Sequence, residues 1–247
     1  MKKSDSKRIC SGFSRSASFY NQNAVIQKKM AEHLCLLLTH YGNSFSVISE
    51  LGSGTGLLTM ELKKVLTWDT IHLFDLQEIH CSWPEACIHQ CDLNEVAHFP
   101  DSDLIVSGAT LQWISDIPAL FEKIHAALHL RQGLFCFSTF ALNHFQEIRS
   151  VTGLTLNYHS GEEMLHLLQK SGFTPLYMEQ SLHTQWFQSP MDILKHMKKT
   201  GVNRVTVHEL KNPRARIQKF CQDYERFHSP LKGYPLTWRP LYCIARA

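Results

Sequence analysis

Apolar residues recur at helical spacing from Ala24 to Tyr41 (Val25, Ile26, Met30, Leu34, Leu37, Leu38), and Gly42 follows where a helix end needs a cap. That spacing predicts an amphipathic helix packed on a core. FSVISELGSGTG then carries a short apolar run into alternating glycines, and LLTMELKKV resumes the helical period, which reads as strand, tight turn and helix. Further strands are predicted at Thr70–Asp75, around Ala86–Cys91, at Asp103–Ser107 and at Leu134–Phe140. A helix over Asp116–Leu128 presents Ile117, Leu120, Phe121, Ile124 and Leu128 on one face. Strands alternating with helices predict a mostly parallel sheet with helices on both faces.

The later half is patterned differently. Ser160-Gly-Glu-Glu163 has the spacing of a capping box and opens a helix that stops at Gly172. Phe173–Phe187 reads as one long strand with an irregular middle, and Leu236–Ala245 as the last strand. Residues 189–233 hold two helical patterns and no strand, so they are expected to form a late helical insertion, or lid. The expected organisation is one domain over 1–247: an N-terminal arm and helix at 1–42, a core at 43–188, the lid at 189–233 and a final strand at 234–247.

In an open α/β sheet, ligands bind beyond the carboxyl ends of the strands, near the point where strand order reverses, so the loop after the first strand carries the first candidate chemistry. That loop is Glu50-Leu51-Gly52-Ser53-Gly54-Thr55-Gly56. Three alternating glycines let backbone amides approach a ligand at a helix N-terminus. Asp75 ends the second strand about twenty residues on, where a carboxylate can accept hydrogen bonds from ribose hydroxyls. Asp92-Leu93 ends the third and offers one polar and one apolar contact to a base edge. The glycine spacing is GxGxG, not the GxGxxG of a dinucleotide site.

Composition narrows the classes. A net charge of +3 in 247 residues is too mild to announce nucleic-acid binding. Eight cysteines without a CxxC pair point to a reducing cytosol. His80, Cys81, Cys87, His89 and Cys91 match no zinc spacing, so no metal is expected. No apolar stretch has the length of a signal peptide or a bilayer span, and a soluble cytoplasmic monomer is the expectation.

An acidic residue followed by xGxGxG resembles the class I S-adenosylmethionine methyltransferases, over residues 45–140. The resemblance implies a Rossmann-like α/β fold with a seven-stranded, mostly parallel sheet and S-adenosylmethionine as cofactor. It assigns the methionine part to the turn with Gly52, Ser53, Gly54 and Gly56, the ribose to Asp75, and the adenine to Asp92 beside Leu93, with Glu50 and Leu76 as further cofactor contacts. Gln27 and Ser107 join the expected cofactor contacts.

Shorter signatures span nearly the whole chain: Phe13–Tyr20, Ala109-Thr-Leu-Gln-Trp113, Phe137-Ser-Thr139, Glu147-Ile-Arg149 and Tyr234-Pro-Leu-Thr237. Together they resemble the malonyl-carrier-protein O-methyltransferases that open the biotin pathway. The resemblance implies methyl transfer to the free carboxylate of a malonyl thioester, with acyl carrier protein as partner. A carboxylate is already ionised at neutral pH, so alignment, worth on the order of 7–11 kcal/mol, replaces a general base.

A cation should hold such an acceptor, and the candidates are Arg15, Arg149 and Arg239. Tyr20 is expected to close over the sulfonium and Trp113 to wall the acceptor pocket. In the lid, Lys195, Lys198 and Lys199 share a face, with Arg204 nearby, a patch suited to an acidic carrier. Three rivals remain: methylation of another small carboxylate or ring, a cofactor-binding relative that works in hydroxylation or assembly, and a non-enzymatic binding module.

Overall fold

A computed structural model describes residues 23–79, 81, 83–156, 158–200 and 213–247. Helix α1 (Val25–Leu38) leads into β1 (Ser44–Leu51), α2 (Leu57–Val65), β2 (Thr67–Asp75), β3 (Ala86–Gln90) and β4 (Leu104–Gly108). A 3-10 turn at Leu111–Trp113 precedes α3 (Ile117–His129), β5 (Leu134–Phe140), α4 (Gln146–Thr152), α5 (Gly161–Lys170), β6 (Thr174–Gln180) and β7 (His183–Phe187). The chain closes with α6 (Pro190–Lys199), α7 (Pro213–Tyr224), a 3-10 turn at Glu225–Phe227, β8 (Tyr234–Trp238) and β9 (Pro240–Arg246).

Seven strands form one sheet in the order β3-β2-β1-β4-β5-β9-β6. β1 to β5 are parallel, and β9 runs antiparallel between β5 and β6. The chain moves outward from β1 to β3 and then crosses back to β4, so the order reverses between β1 and β4. Side-chain alternation splits the core into two faces. Leu104, Val106 and Cys136 pack with α1 residues Met30 and Leu34, whereas Ile105, Phe135 and Phe137 pack with Phe121 of α3 and Leu168 of α5.

The helix ends follow their local chemistry. Asp116 accepts from the Ala119 amide to cap α3, and both bonds of the Ser160–Glu163 capping box form at α5. Ser189 caps α6 through the Asp192 amide.

Two strand expectations need correction. Phe173–Phe187 is two strands in different sheets: β6 pairs with β9, while β7 pairs with β8 in a separate two-stranded ribbon. Leu236–Ala245 divides likewise at Arg239, with β8 in the ribbon and β9 in the main sheet. The physical reason is the partner, not the local pattern. Trp238 pairs with His183, yet Pro240, which has no N–H to give a ladder, already pairs with Phe140. Arg239 therefore lies at the crossing between sheets, not within a strand.

Candidate active site

The turn after β1 needs its glycines. Gly52, Gly54 and Gly56 have φ of +78°, +53° and +79°, conformations that L side chains resist. At Gly52 the approach is also close, since a Cβ there would stand 2.1 Å from the Thr110 hydroxyl oxygen, on the loop after β4. At Gly54 a Cβ would meet nothing within 4 Å, because that glycine borders open space.

Asp75 fastens this turn to the end of β2. Its carboxylate accepts from the Gly54 amide at 2.8 Å and from the Gln77 amide at 2.8 Å. The Gly52 amide donates to the Phe74 carbonyl at 2.7 Å. Burial raises the Asp75 carboxyl above its ordinary range, opposed by the amides of Gln77, Gly54 and Leu76. At the end of β3, Asp92 accepts from both the amide and the side chain of Asn94, which in turn accepts from Ser115. Two acids from adjacent strands are thus held in place by local turns.

These loops enclose a cavity of about 500 Å³. Among the described residues, Gln27 Oε1, both Glu50 oxygens, Ser53 Oγ, Thr59 Oγ1 and Ser138 Oγ are buried without a well-formed hydrogen bond, and all five residues line it. Buried polar atoms are normally paired, so convergence of five such side chains on one cavity marks a polar ligand site. Glu50 is fully buried, and its carboxyl is pushed up to about 7 by burial, with Asp75 adding to the shift and nearby Thr59 opposing it.

A smaller recess of about 20 Å³ adjoins this cavity. Gln27, Ala109 and Trp113 line both. The recess is completed by Gln112, Phe140, His144, Leu156, Tyr158, Thr200 and Trp238. His144 stacks on Phe140 and on Phe145, at 4.0 and 3.8 Å between ring centres, and burial holds its pKa well below 6.5. Its Nδ1 accepts from the Arg239 amide at 3.3 Å. Beneath it, Glu147 is buried and accepts from both the amide and the hydroxyl of Thr237. The Tyr224 hydroxyl donates to the Pro235 carbonyl at 2.7 Å. Two separate motifs, Glu147-Ile-Arg149 and Tyr234-Pro-Leu-Thr237, therefore meet as one brace behind the recess.

Gln27, Glu50, Gly52, Ser53, Gly54, Gly56, Asp75, Leu76, Asp92 and Leu93 line the cavity together. Ser107 does not; it is buried one residue short, and its hydroxyl donates to the Leu51 carbonyl at 3.0 Å, bracing β4 to β1. Gly108 and Ala109 take the wall position instead. Trp113 stands where the two spaces meet. Arg149 and Arg239 line neither: Arg149 is exposed on α4, and the Arg239 guanidinium reaches Gln146 at 3.5 Å. Lys195, Lys198 and Lys199 are exposed on α6. Arg15, Tyr20 and Arg204 lie outside the described residues, as do Cys10 and His80.

Sequence reasoning assigned nothing to Cys81, Trp83, Ser138, His144 or Tyr158, which also line these spaces. Gln112 donates to the Ala109 carbonyl and accepts from Thr139, so the shared motifs at 109–113 and 137–139 were a signal that their polar members meet. Among the described residues no group of three or more His, Cys, Asp or Glu could hold a metal ion, and no helix is long and apolar enough to cross a membrane.

The strand order, the glycine turn at the reversal point and the acids ending β2 and β3 define a class I, Rossmann-like methyltransferase. The family model described as "Methyltransferase domain" matches residues 25–178. A malonyl-[acyl-carrier protein] O-methyltransferase of Calditerrivibrio nitroreducens is 36% identical over 233 residues, covering 94% of this chain and 93% of that one. One of the same name from Acinetobacter baylyi is 35% identical over 244 residues, covering 96% and 95%. The chain belongs to the malonyl-[acyl-carrier protein] O-methyltransferase family. Among solved structures, the Burkholderia thailandensis 1,6-didemethyltoxoflavin-N1-methyltransferase, with bound S-adenosylhomocysteine, superposes with TM-score 0.51 at 16% identity, covering 95% of this chain and 86% of that one. That likeness is one of fold.

Proposed function

We propose that the protein transfers a methyl group from S-adenosylmethionine to the free carboxylate of a malonyl group carried on acyl carrier protein, an early step of biotin synthesis. The observation that carries this reading is the convergence of five buried polar side chains, whose atoms lack a well-formed hydrogen bond, on a cavity that adjoins a second, aromatic-walled recess. The first space suits a large polar cofactor and the second a small acceptor.

When bound, S-adenosylmethionine supplies an electrophilic methyl group on a sulfonium. The residues then divide the work of holding and orienting. Amides of the Gly52–Gly56 turn face the methionine part, with Ser53 as a further hydrogen-bond partner. Asp75, beside Leu76, keeps lone pairs for the ribose hydroxyls beyond the two amides it already accepts. Asp92 and Leu93 face the adenine. Gln27 stands on the wall shared by both spaces, where its unpaired amide oxygen suits a neighbouring cation. Ser107 serves by fixing β4 against β1.

Trp113 separates acceptor from cofactor and excludes water at the junction. Gln27, in the first turn of α1, lines the cavity, and Tyr20 is assigned to cover the sulfonium and Arg15 to meet the carboxylate. Arg149 and Arg239, outside both spaces, fit contact with the carrier's acidic surface or its phosphorylated arm better than contact with the malonyl carboxylate. Lys195, Lys198 and Lys199, exposed on α6, add further basic charge for the carrier, and Arg204 is assigned to the same docking role. No residue is needed as a general base, because the acceptor is ionised at neutral pH.

The test is mass spectrometry of malonyl-acyl carrier protein after incubation with the protein and S-adenosylmethionine. The expected outcome is a gain of one methyl on the malonyl arm, absent with Asp75→Ala. Tight cofactor binding by calorimetry with no transfer would reject the malonyl acceptor.

A further inference from the structure

We propose that the recess beside Trp113 receives the non-attacking oxygen of the acceptor carboxylate, and that the Nε2–H of His144 donates the hydrogen bond that holds it there. This rests on the reading of a malonyl carboxylate as acceptor. The recess, at about 20 Å³, has room for one water-sized group and no more. It therefore fits the tip of an acceptor, not the whole malonyl unit.

Phe140, Leu156 and the ring faces of Trp113 and Trp238 give it apolar walls, beside the polar groups of Gln112, Tyr158 and Thr200. An anionic oxygen entering such a space loses its water, and the cost is offset only if a donor meets it. His144 is that donor by elimination within its own ring. Nδ1 accepts from the Arg239 amide, so a neutral imidazole carries its proton on Nε2. Burial keeps the ring neutral. Neutrality suits the place: an imidazolium would repel a sulfonium next door, and a full ion pair would draw electron density from the attacking oxygen. A neutral donor orients the carboxylate while leaving it nucleophilic.

The backbone around His144 is an independent observation. Asn143 and Phe145, its two neighbours, both have left-handed φ, +67° and +52°. Such a conformation is uncommon for residues other than glycine and most strained for a bulky aromatic such as Phe145. Strain on both sides of one residue persists where surrounding bonds enforce it, here the Phe145 amide on the Thr237 carbonyl at 2.9 Å and the His144 amide on the Ala141 carbonyl at 3.1 Å. The chain bends sharply to turn one imidazole inward, and two stacked phenyl rings fix its plane.

Two substitutions separate this role from a structural one. His144→Gln places an amide N–H near the position of Nε2 but gives up the acceptor at Nδ1; His144→Asn keeps an acceptor for the Arg239 amide but cannot reach the recess. The readout is the Kd of malonyl-acyl carrier protein in the presence of S-adenosylhomocysteine, with S-adenosylhomocysteine affinity measured separately on each variant. Expected are binding within about threefold of wild type for the Gln variant, acceptor binding weakened roughly tenfold or more for Asn, and unchanged S-adenosylhomocysteine affinity in both. The reverse order, equal effects in the two variants, or a loss of S-adenosylhomocysteine affinity with Asn would overturn it. A wild-type protein that binds S-adenosylhomocysteine but no malonyl carrier would instead overturn the acceptor reading beneath it.

Discussion

The two ends of the active site are built in opposite ways. At the cofactor end, the bonds that hold the glycine turn and the two acids are made between a strand end and the few residues after it, or between two adjacent parallel strands. The Gly52–Gly56 turn, Asp75 with Gln77, and Asp92 with Asn94 are of this kind. At the acceptor end, the bonds join segments about ninety residues apart: His144 to Arg239, Glu147 to Thr237, and the Phe145 amide to the Thr237 carbonyl. The first end is local backbone chemistry in a fixed sheet; the second is side-chain assembly across the chain. A fold can therefore keep its cofactor site while changing its acceptor, because the two draw on different bonds.

If the division is real, damage at one end should leave the other intact. The largest effect expected is that of Asp75→Ala, which removes a ribose acceptor and frees the Gly54 and Gln77 amides. Cofactor affinity by calorimetry should fall roughly 100-fold, the scale of two lost charge-assisted bonds. Little change in affinity with a large loss of stability would instead make Asp75 a brace alone.

Next in size is Glu147→Ala. It strands the Thr237 amide and hydroxyl in a buried setting and should cost about 2–3 kcal/mol of stability in urea unfolding. S-adenosylhomocysteine affinity should stay within about twofold of wild type while methylation of the carrier falls. A matching fall in S-adenosylhomocysteine affinity would break the comparison, since it would tie the brace to the cofactor end.

The same division explains what the chain's pattern made legible. Glycines in alternation and acids at strand ends are cues readable within a dozen residues, and the positions around them, Glu50, Gly52, Ser53, Gly54, Gly56, Asp75, Asp92 and Leu93, line one cavity, as do Gln27 and Leu76, which the resemblance added. Ser107 was misplaced because a polar residue at a strand end reads alike whether it faces a ligand or the next strand's carbonyl; here it is the latter. The breaks at 181–182 and at Arg239 were illegible for the same cause. The polar run Glu179-Gln180-Ser181 marks only an irregular middle and Leu236–Leu241 shows no break, so only pairing with remote strands assigns the halves to different sheets. Glu147 and His144 look like surface residues in sequence and are buried only because β8 folds over them.

Glu50 sharpens the comparison through pH. With its carboxyl raised from 4.5 to about 7 in the folded protein, it contributes stability that is present below about pH 4.5 and lost as pH rises through about 7. A cationic ligand beside it favours the carboxylate, so binding should release a proton between pH 6 and about 7, and affinity for S-adenosylmethionine should rise several-fold over that range and level off above it. Calorimetry in buffers of different ionisation enthalpy measures that proton. Glu50→Gln should abolish both proton release and pH dependence; an unchanged pH profile would place the titrating group elsewhere.

The smallest effect is expected on the basic face of α6, because exposed charges mostly alter encounter rate. Its residues have a competing explanation that must be separated. Lys198 and Lys199 sit in the last turn, where cations stabilise a helix by a few tenths of a kcal/mol, and Lys195 pairs with Asp192 at 2.9 Å. Neutral substitutions Lys198→Gln and Lys199→Gln, made together, alter both roles. Docking of an acidic carrier predicts that KM for malonyl-acyl carrier protein rises about threefold at low salt, that the difference fades by roughly 0.5 M salt, and that a short malonyl thioester without the protein carrier is turned over as before. Helix stabilisation alone predicts the opposite pattern, a small loss for both substrates that salt does not selectively erase. The carrier-free substrate thus decides whether the face meets a partner or only closes a helix.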